Sequence, residues 1–237
     1  MSSKLVALTF DAHDPEALAR FWGGLLGWDH IERTGDARTV LPADGTGFRL
    51  HFEPSTEPKR GPNQAHFDLT SNLASQESTV ARALSLGARH IDVGQLPEEG
   101  HVVLADPDGN EFCVIQEGNN FLADTGFIGA LASDGTQAVG YFWAAALDWP
   151  LVWDQDEETA IQSPTGGPKI TWGGPPVAPK LGKNRLHFDL RADGDLDAEV
   201  ERLLGLGAKH LDIGQGEVDW VVLADPDGNE FCVLPPA

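Results

Sequence analysis

The stretch VVLADPDGNEFCV runs from Val102 to Val114 and returns without a change from Val221 to Val233. Each copy places a Pro-Asp-Gly turn between two apolar runs, a pattern typical of two antiparallel strands joined by a tight turn. A long repeat within one chain indicates a duplicated structural unit. The two copies therefore predict that the second half of the chain adopts the fold of the first half.

Three further segments on the N-terminal side of this stretch recur in the same order. LGARHIDVGQ (86–95) returns as LGAKHLDIGQ (206–215), NQAHFDL (63–69) as NRLHFDL (184–190), and RFWGGLLGW (20–28) as YFWAAALDW (141–149). Between the halves lies a polar stretch that contains glycine, as linkers do. We therefore predict a first domain over residues 1–117, a linker over 118–126 and a second domain over 127–237.

Each half also contains a pattern that occurs twice, in which a short apolar strand leads into a helix and then into further strands. Asp14 is a good N-cap and Pro15 suits the first helical position, so the first helix should run from Pro15 to about Leu26. A second helix is predicted from Gln76 to Leu86. The chain therefore reads as four βαβββ units, an α+β protein.

The composition restricts the partners and the compartment. Among the 237 residues, 16 basic and 37 acidic side chains give a formal net charge of −21, which repels phosphate backbones and anionic lipid. No apolar run reaches membrane-spanning length, and the first ten residues lack the features of a signal peptide. The two cysteines fit a reducing compartment. We expect a cytoplasmic protein that binds neither nucleic acid nor membranes.

The unit order resembles the vicinal oxygen chelate superfamily, which includes glyoxalase I, extradiol dioxygenases and bleomycin-resistance proteins. The resemblance rests on the tandem βαβββ units, on the helix end FW-x3-LGW at Phe21 to Trp28, and on DPDGN before the last strand. The FCV ending resembles glyoxalase-like domains of the actinobacterial type. This resemblance implies that the four units pair into two glyoxalase-like open-barrel domains.

In metal-dependent members of the superfamily, His, Gln or Glu on the first and last strands of each unit hold a divalent ion. The resemblance places those positions at Ala7, His51, His66 and Cys113 in the first half, and at Ile128, Trp172, His187 and Cys232 in the second. Ala7 and Ile128 cannot bind a metal, and the cysteines stand where glutamate is usual. We expect no cofactor. The alternative is zinc, nickel, iron or manganese on His51, His66 and Cys113, provided that the strand register does not turn His51 outward and Glu53 inward.

Tryptophans distinguish the two halves. Trp22, Trp28, Trp143 and Trp149 occur at matching positions and indicate core packing. Trp172 and Trp220 have no aromatic counterpart in the first half, so they favour a cleft in which a flat molecule can stack. The predicted ligand cavity consists of His51, His66, Cys113, Trp172, His187, Trp220 and Cys232.

Two functions remain open from the sequence. The first is binding of a small organic molecule in an aromatic cleft by a protein whose metal site has degenerated. The second is a metal-dependent lyase, isomerase or dioxygenase that uses the first-half cavity. The repeated histidines are equally typical of hydrogen-bonded structural residues, and the cysteines of buried, inert side chains. Because the halves are fused, we expect a monomer with an internal pseudo-twofold axis, with a homodimer as the alternative.

Overall fold

The computed structural model describes residues 3–96 and 98–237, which form four βαβββ units. Unit 1 contains β1 (Lys4–Ala12), α1 (Pro15–Leu26), β2 (Ile31–Thr34), β3 (Ala37–Val40) and β4 (Arg49–Pro54), and unit 2 contains β5 (Ala65–Leu69), α2 (Gln76–Leu86), β6 (Arg89–His90), β7 (Val102–Ala105) and β8 (Glu111–Val114). Unit 3 contains β9 (Ile128–Ser133), α3 (Gln137–Leu147), β10 (Leu151–Gln155), β11 (Glu158–Gln162) and β12 (Lys169–Trp172), and unit 4 contains β13 (Leu186–Arg191), α4 (Leu196–Leu206), β14 (Lys209–His210), β15 (Val221–Ala224) and β16 (Glu230–Leu234). The predicted α+β class and the four units are confirmed.

Local chemistry sets the helix ends. The Asp14 carboxylate accepts a hydrogen bond from the backbone N–H of Ala17 at 3.0 Å, which satisfies one of the free donors at the start of α1. Gly27 ends the helix at a φ of 75°, a conformation that glycine adopts without steric cost. Both helices predicted in the first half have the bounds expected from the sequence. Within the described residues, none of the helices combines the length and the apolar character needed to cross a membrane.

The strands form two eight-stranded sheets, and each sheet combines one unit from each half of the sequence. Sheet I has the order β14-β15-β16-β13-β1-β4-β3-β2, so it joins units 4 and 1. Sheet II has the order β10-β11-β12-β9-β5-β8-β7-β6 and joins units 3 and 2. Neither order closes into a barrel. The division at the linker therefore describes the repeat in the sequence, while the cavity expected within the first half does not form, because units 1 and 2 contribute to different sheets.

One hydrophobic core joins both sheets and the helices. The Phe10 ring of β1 lies 6.3 Å from the Phe67 ring of β5, and Trp22 of α1 lies 5.2 Å from both Phe67 and Phe112. Trp22, Trp28 and Trp143 are buried, and Trp149 packs against the same core, as their repetition predicts. The apolar side of each sheet therefore faces the core.

Since side chains alternate along a strand, the other side of each sheet is directed away from that core. We call these sides face I and face II. Face I carries Ala7, Thr9, Arg49, His51, Glu53, His187, Asp189 and Cys232, and face II carries the equivalent residues Ala130, Ala132, Lys169, Thr171, His66, Asp68 and Cys113.

Candidate functional site

The strand register brings the polar residues of face I into two neighbouring rows. In the first row Ala7 lies between Arg49 and Asp189, and Cys232 follows beside Asp189. In the second row Thr9 lies between His51 and His187. Ala7 has the smallest of these side chains and is itself buried, so it forms a floor between the polar groups on its two sides. Face I is thus a polar surface with a small apolar floor.

His51 and Glu53 form a pair at one side of this floor. The Nε2 atom of His51 lies 2.6 Å from Oε1 of Glu53, and its Nδ1 atom lies 2.7 Å from the Thr39 hydroxyl. The hydrogen bond from His51 keeps the pKa of Glu53 below its usual value. The expectation that a shift in register would turn His51 outward and Glu53 inward is wrong, because residues two apart on a strand share a face.

His187, Asp189 and Cys232 occupy the other side. Nε2 of His187 lies 3.5 Å from Oδ1 of Asp189, while the buried Nδ1 atom has no hydrogen-bond partner in the described part of the chain. Burial lowers the pKa of His187 to about 3, so its ring is neutral at pH 7. Asp189 accepts a hydrogen bond from the Thr9 hydroxyl at 2.7 Å. Burial raises the pKa of the Cys232 thiol, which therefore stays protonated.

Face II contains a group equivalent to His187, Asp189 and Cys232, but its histidine has the opposite protonation state. Nε2 of His66 lies 3.5 Å from Oδ1 of Asp68, beside Cys113. Burial alone would lower the pKa of His66, but the hydrogen bonds with Asp68 and Cys113 raise it to about 10. His66 is therefore an imidazolium at pH 7, whereas the equivalent His187 is neutral.

The linker covers part of face II. Leu122 packs with Cys113 and Ala130 in a small apolar cluster, and Phe121 lies against that cluster. The Lys169 ammonium donates to the backbone carbonyl of Phe121 and lies 4.5 Å from the centre of the Phe121 ring. It also donates to the Asp124 carboxylate at 2.8 Å. The linker thus adds a carboxylate and two apolar side chains to face II.

With this geometry described, comparison with known proteins gives the family. The glyoxalase-like domain matches the chain twice, over residues 7–115 and 130–234. The chain belongs to the glyoxalase-like domain family. The resemblance to the vicinal oxygen chelate superfamily is thereby confirmed. No curated protein matches the chain.

Solved structures share the fold of this glyoxalase-like protein at low sequence identity. Glyoxalase I from Zea mays is 14% identical with a TM-score of 0.68, and the match covers 99% of this chain and 92% of that one. A putative dioxygenase from Bacillus subtilis subsp. subtilis str. 168 is 12% identical with a TM-score of 0.60, over 99% of this chain and 85% of that one. At such identities the likeness establishes the fold alone.

The metal ligands expected for this glyoxalase-like protein need correction. His51 lies on sheet I, whereas His66 and Cys113 lie on sheet II, so the predicted set does not come together. The structure instead groups His66, Asp68 and Cys113, and likewise His187, Asp189 and Cys232, with the N, O and S atoms of each group within 4.8 Å of one another. Nitrogen, carboxylate and thiolate donors are all accepted by zinc, so both groups fit such an ion in type.

Sequence reasoning missed the two aspartates, although the HFDL segments contain the signal. Asp68 follows His66 by two residues, and Asp189 follows His187 by two, so in a strand each pair must share a face. Both aspartates could have been found by considering every acidic residue that lies two positions from a histidine on the same strand.

The aromatic cleft also needs correction. Trp172 is only 2% exposed and belongs to the hydrophobic core. The void that it borders has a volume of about 20 Å³, room for a single water molecule. Trp220 lies in the loop before β15 and is 39% exposed. Neither tryptophan forms a stacking cleft with the polar residues of face I, because the strand register turns Trp172 toward the helices.

Proposed function

We propose that this glyoxalase-like protein binds a small organic molecule on face I. The observation that carries the proposal is a difference between the two faces: linker residues pack on face II, whereas the polar side chains at the edge of face I remain partly exposed. His51 and Glu53 lie at that edge, and on face II their places are taken by Thr171 and Gly173. Face I is therefore both the accessible surface and the one with more hydrogen-bonding groups.

The side chains of face I suit binding of a polar molecule. His51 and Glu53 have exposed fractions of 21% and 51%, so a ligand can reach both. Thr9, Asp189 and the neutral His187 lie deeper and offer donors and acceptors. A few convergent polar groups around an apolar floor are typical of small-molecule sites.

Screening a fragment library by ligand-observed NMR tests the proposal. We expect hits whose affinity falls about ten-fold in His51→Ala, since one hydrogen-bonding partner is lost. The matched variant Thr171→Ala changes the equivalent position on face II and should leave the same hits unaffected. An absence of hits, or equal losses in the two variants, would contradict the proposal.

A second candidate is metal-dependent catalysis, in which His187, Asp189 and Cys232 would hold the ion. It is favoured by the close approach of their donor atoms and by the neutral state of His187, while the Cys232 thiol would have to lose its proton when an ion binds. A bound divalent ion would polarise an oxygen of a substrate. After loading with zinc, nickel, iron(II) or manganese, elemental analysis should find one ion per chain, lost in His187→Ala and kept in His66→Ala. Protein that retains no ion would contradict this candidate.

We further propose a cytoplasmic monomer with an internal pseudo-twofold axis. Both cysteines are free thiols, which agrees with a reducing compartment. Each sheet already combines two units, so a second chain is not needed to complete either face. Light scattering should give a mass close to 25.4 kDa, and a mass of twice that value would favour the homodimer.

A further inference from the structure

Arg49 is the starting point, because it is a cation without a protein partner on the proposed binding face. All ten arginines of the sequence lie in the described part of the chain, and Arg49 alone among them has no side-chain hydrogen bond to another described residue. It is half-buried. With 37 acidic residues available, a half-buried arginine left unpaired on this face indicates a missing anionic partner.

Face II shows what occupies the equivalent position there. Lys169 aligns with Arg49, because Arg49 pairs with Ala7 on β1 just as Lys169 pairs with Ala130 on β9. Lys169 holds the carboxylate of Asp124 at 2.8 Å. Next to it, Leu122 packs in a cluster with Ala130. The linker therefore presents a carboxylate to the cation and an apolar group to the alanine floor.

We infer that the ligand of face I carries a carboxylate, which binds at Arg49. This inference rests on the proposed function and specifies its ligand class. Face II supports this inference, because the cation at the same register position there, Lys169, is already paired with the carboxylate of Asp124.

The charges around Arg49 favour a ligand with a single negative charge. A guanidinium can hold a carboxylate through two parallel hydrogen bonds, which lysine cannot do. Glu53 and Asp189 also face this site and would repel further negative charge, while Lys183 is already paired with Asp11 at 2.6 Å. The net charge of −21 opposes polyanions in the same way. A monocarboxylate is therefore the best match.

The test compares phenylacetate with its neutral analogue phenylacetamide in NMR titrations of the full chain. The wild type should bind phenylacetate about ten-fold more tightly than the amide, and Arg49→Gln should remove that preference without weakening amide binding. Arg49→Lys should restore part of it. Arg33→Gln, on exposed strand β2, makes the same change in net charge and should leave the preference intact.

The outcomes separate this inference from the proposed function. Equal affinity for acid and amide, with both lowered in His51→Ala, would overturn the carboxylate inference and leave binding on face I standing. Equal effects of Arg33→Gln and Arg49→Gln would also overturn it, because overall charge would then explain the preference. Binding of either probe that ignores His51→Ala, or no binding at all, would overturn the proposed function itself.

Discussion

His66 and His187 show how the environment of one residue differs between two nearly identical strands. Both lie 3.5 Å from the aspartate two residues later. Burial dominates at His187, whose pKa falls to about 3, whereas hydrogen bonds with Asp68 and Cys113 raise the pKa of His66 to about 10. Thr9 contributes to this difference in pKa, because its hydroxyl donates a hydrogen bond to the Asp189 carboxylate. The equivalent residue on face II is Ala132, which has no hydroxyl.

We predict that the two histidines titrate at opposite ends of the pH range. Raising the pKa of His66 stabilises the fold below pH 6.5, and this stabilisation is lost as the pH rises toward 10. Lowering the pKa of His187 costs stability as the pH falls from 6.5 toward 3, because the unfolded chain takes up a proton that the native state does not. Imidazole ¹⁵N shifts followed against pH should show His66 protonated and His187 neutral at pH 7. Titration of both rings near pH 6.5 would contradict this.

Among the elements, the repeated stretch connects a tight turn to a helix through hydrogen bonds. The buried Asp106 carboxylate accepts hydrogen bonds from the backbone N–H groups of Asp108 and Asn110, each at 2.9 Å. It also accepts one at 3.1 Å from the indole N–H of Trp22 in α1. Asp225 holds the equivalent turn and accepts from Trp143. The unchanged sequence of this stretch thus reflects one structural task performed twice.

Asp106→Ala should therefore destabilise the protein by about 3 kcal/mol, because several buried donors lose their acceptor. Asp106→Asn keeps an oxygen acceptor and should cost less. Urea unfolding monitored by tryptophan fluorescence measures both changes. An Asp106→Ala protein as stable as the wild type would show that the turn is held by other contacts.

The linker is the second element whose role follows from its contacts. Lys169→Met removes the contacts of the ammonium group with Asp124 and Phe121. Backbone amides over residues 119–125 should then exchange with deuterium about ten-fold faster, as local opening becomes easier. Arg49→Met, the matched change on face I, should leave these amides unchanged. Equal exchange in both variants would mean that Lys169 does not hold the linker in place.

At the scale of the whole molecule, the sheets hold the two sequence halves together. Since each sheet contains one unit from each half, cutting the linker leaves sixteen strands paired as before. We predict that a chain cleaved at an engineered protease site near Gly118 still elutes as one particle of 25.4 kDa under native conditions. Separation into two smaller particles would contradict the sheet topology.

The fold could largely be predicted from the sequence, because the repeats define four units and Pro15, Gly27 and Gly87 mark helix ends. The pairing of units could not, since the same apolar faces satisfy either arrangement and local patterns carry no information about which units meet. Because this pairing was not predicted, His51 was expected beside His66, although the two residues lie on different sheets. Trp172 was misjudged because a ligand position inferred from relatives does not report which face of the strand packs on a helix. The packing of Phe121 and Leu122 on face II was not predicted, because both residues lie in a stretch that is polar overall.

Face I is the proposed binding site of this protein, while linker residues pack on face II. A crystal structure of the protein with bound phenylacetate tests this proposal most directly. We predict the carboxylate at Arg49, with Leu122 still packed in its cluster with Ala130. Phenylacetate on face II in place of the linker, or bound away from Arg49, would contradict this prediction.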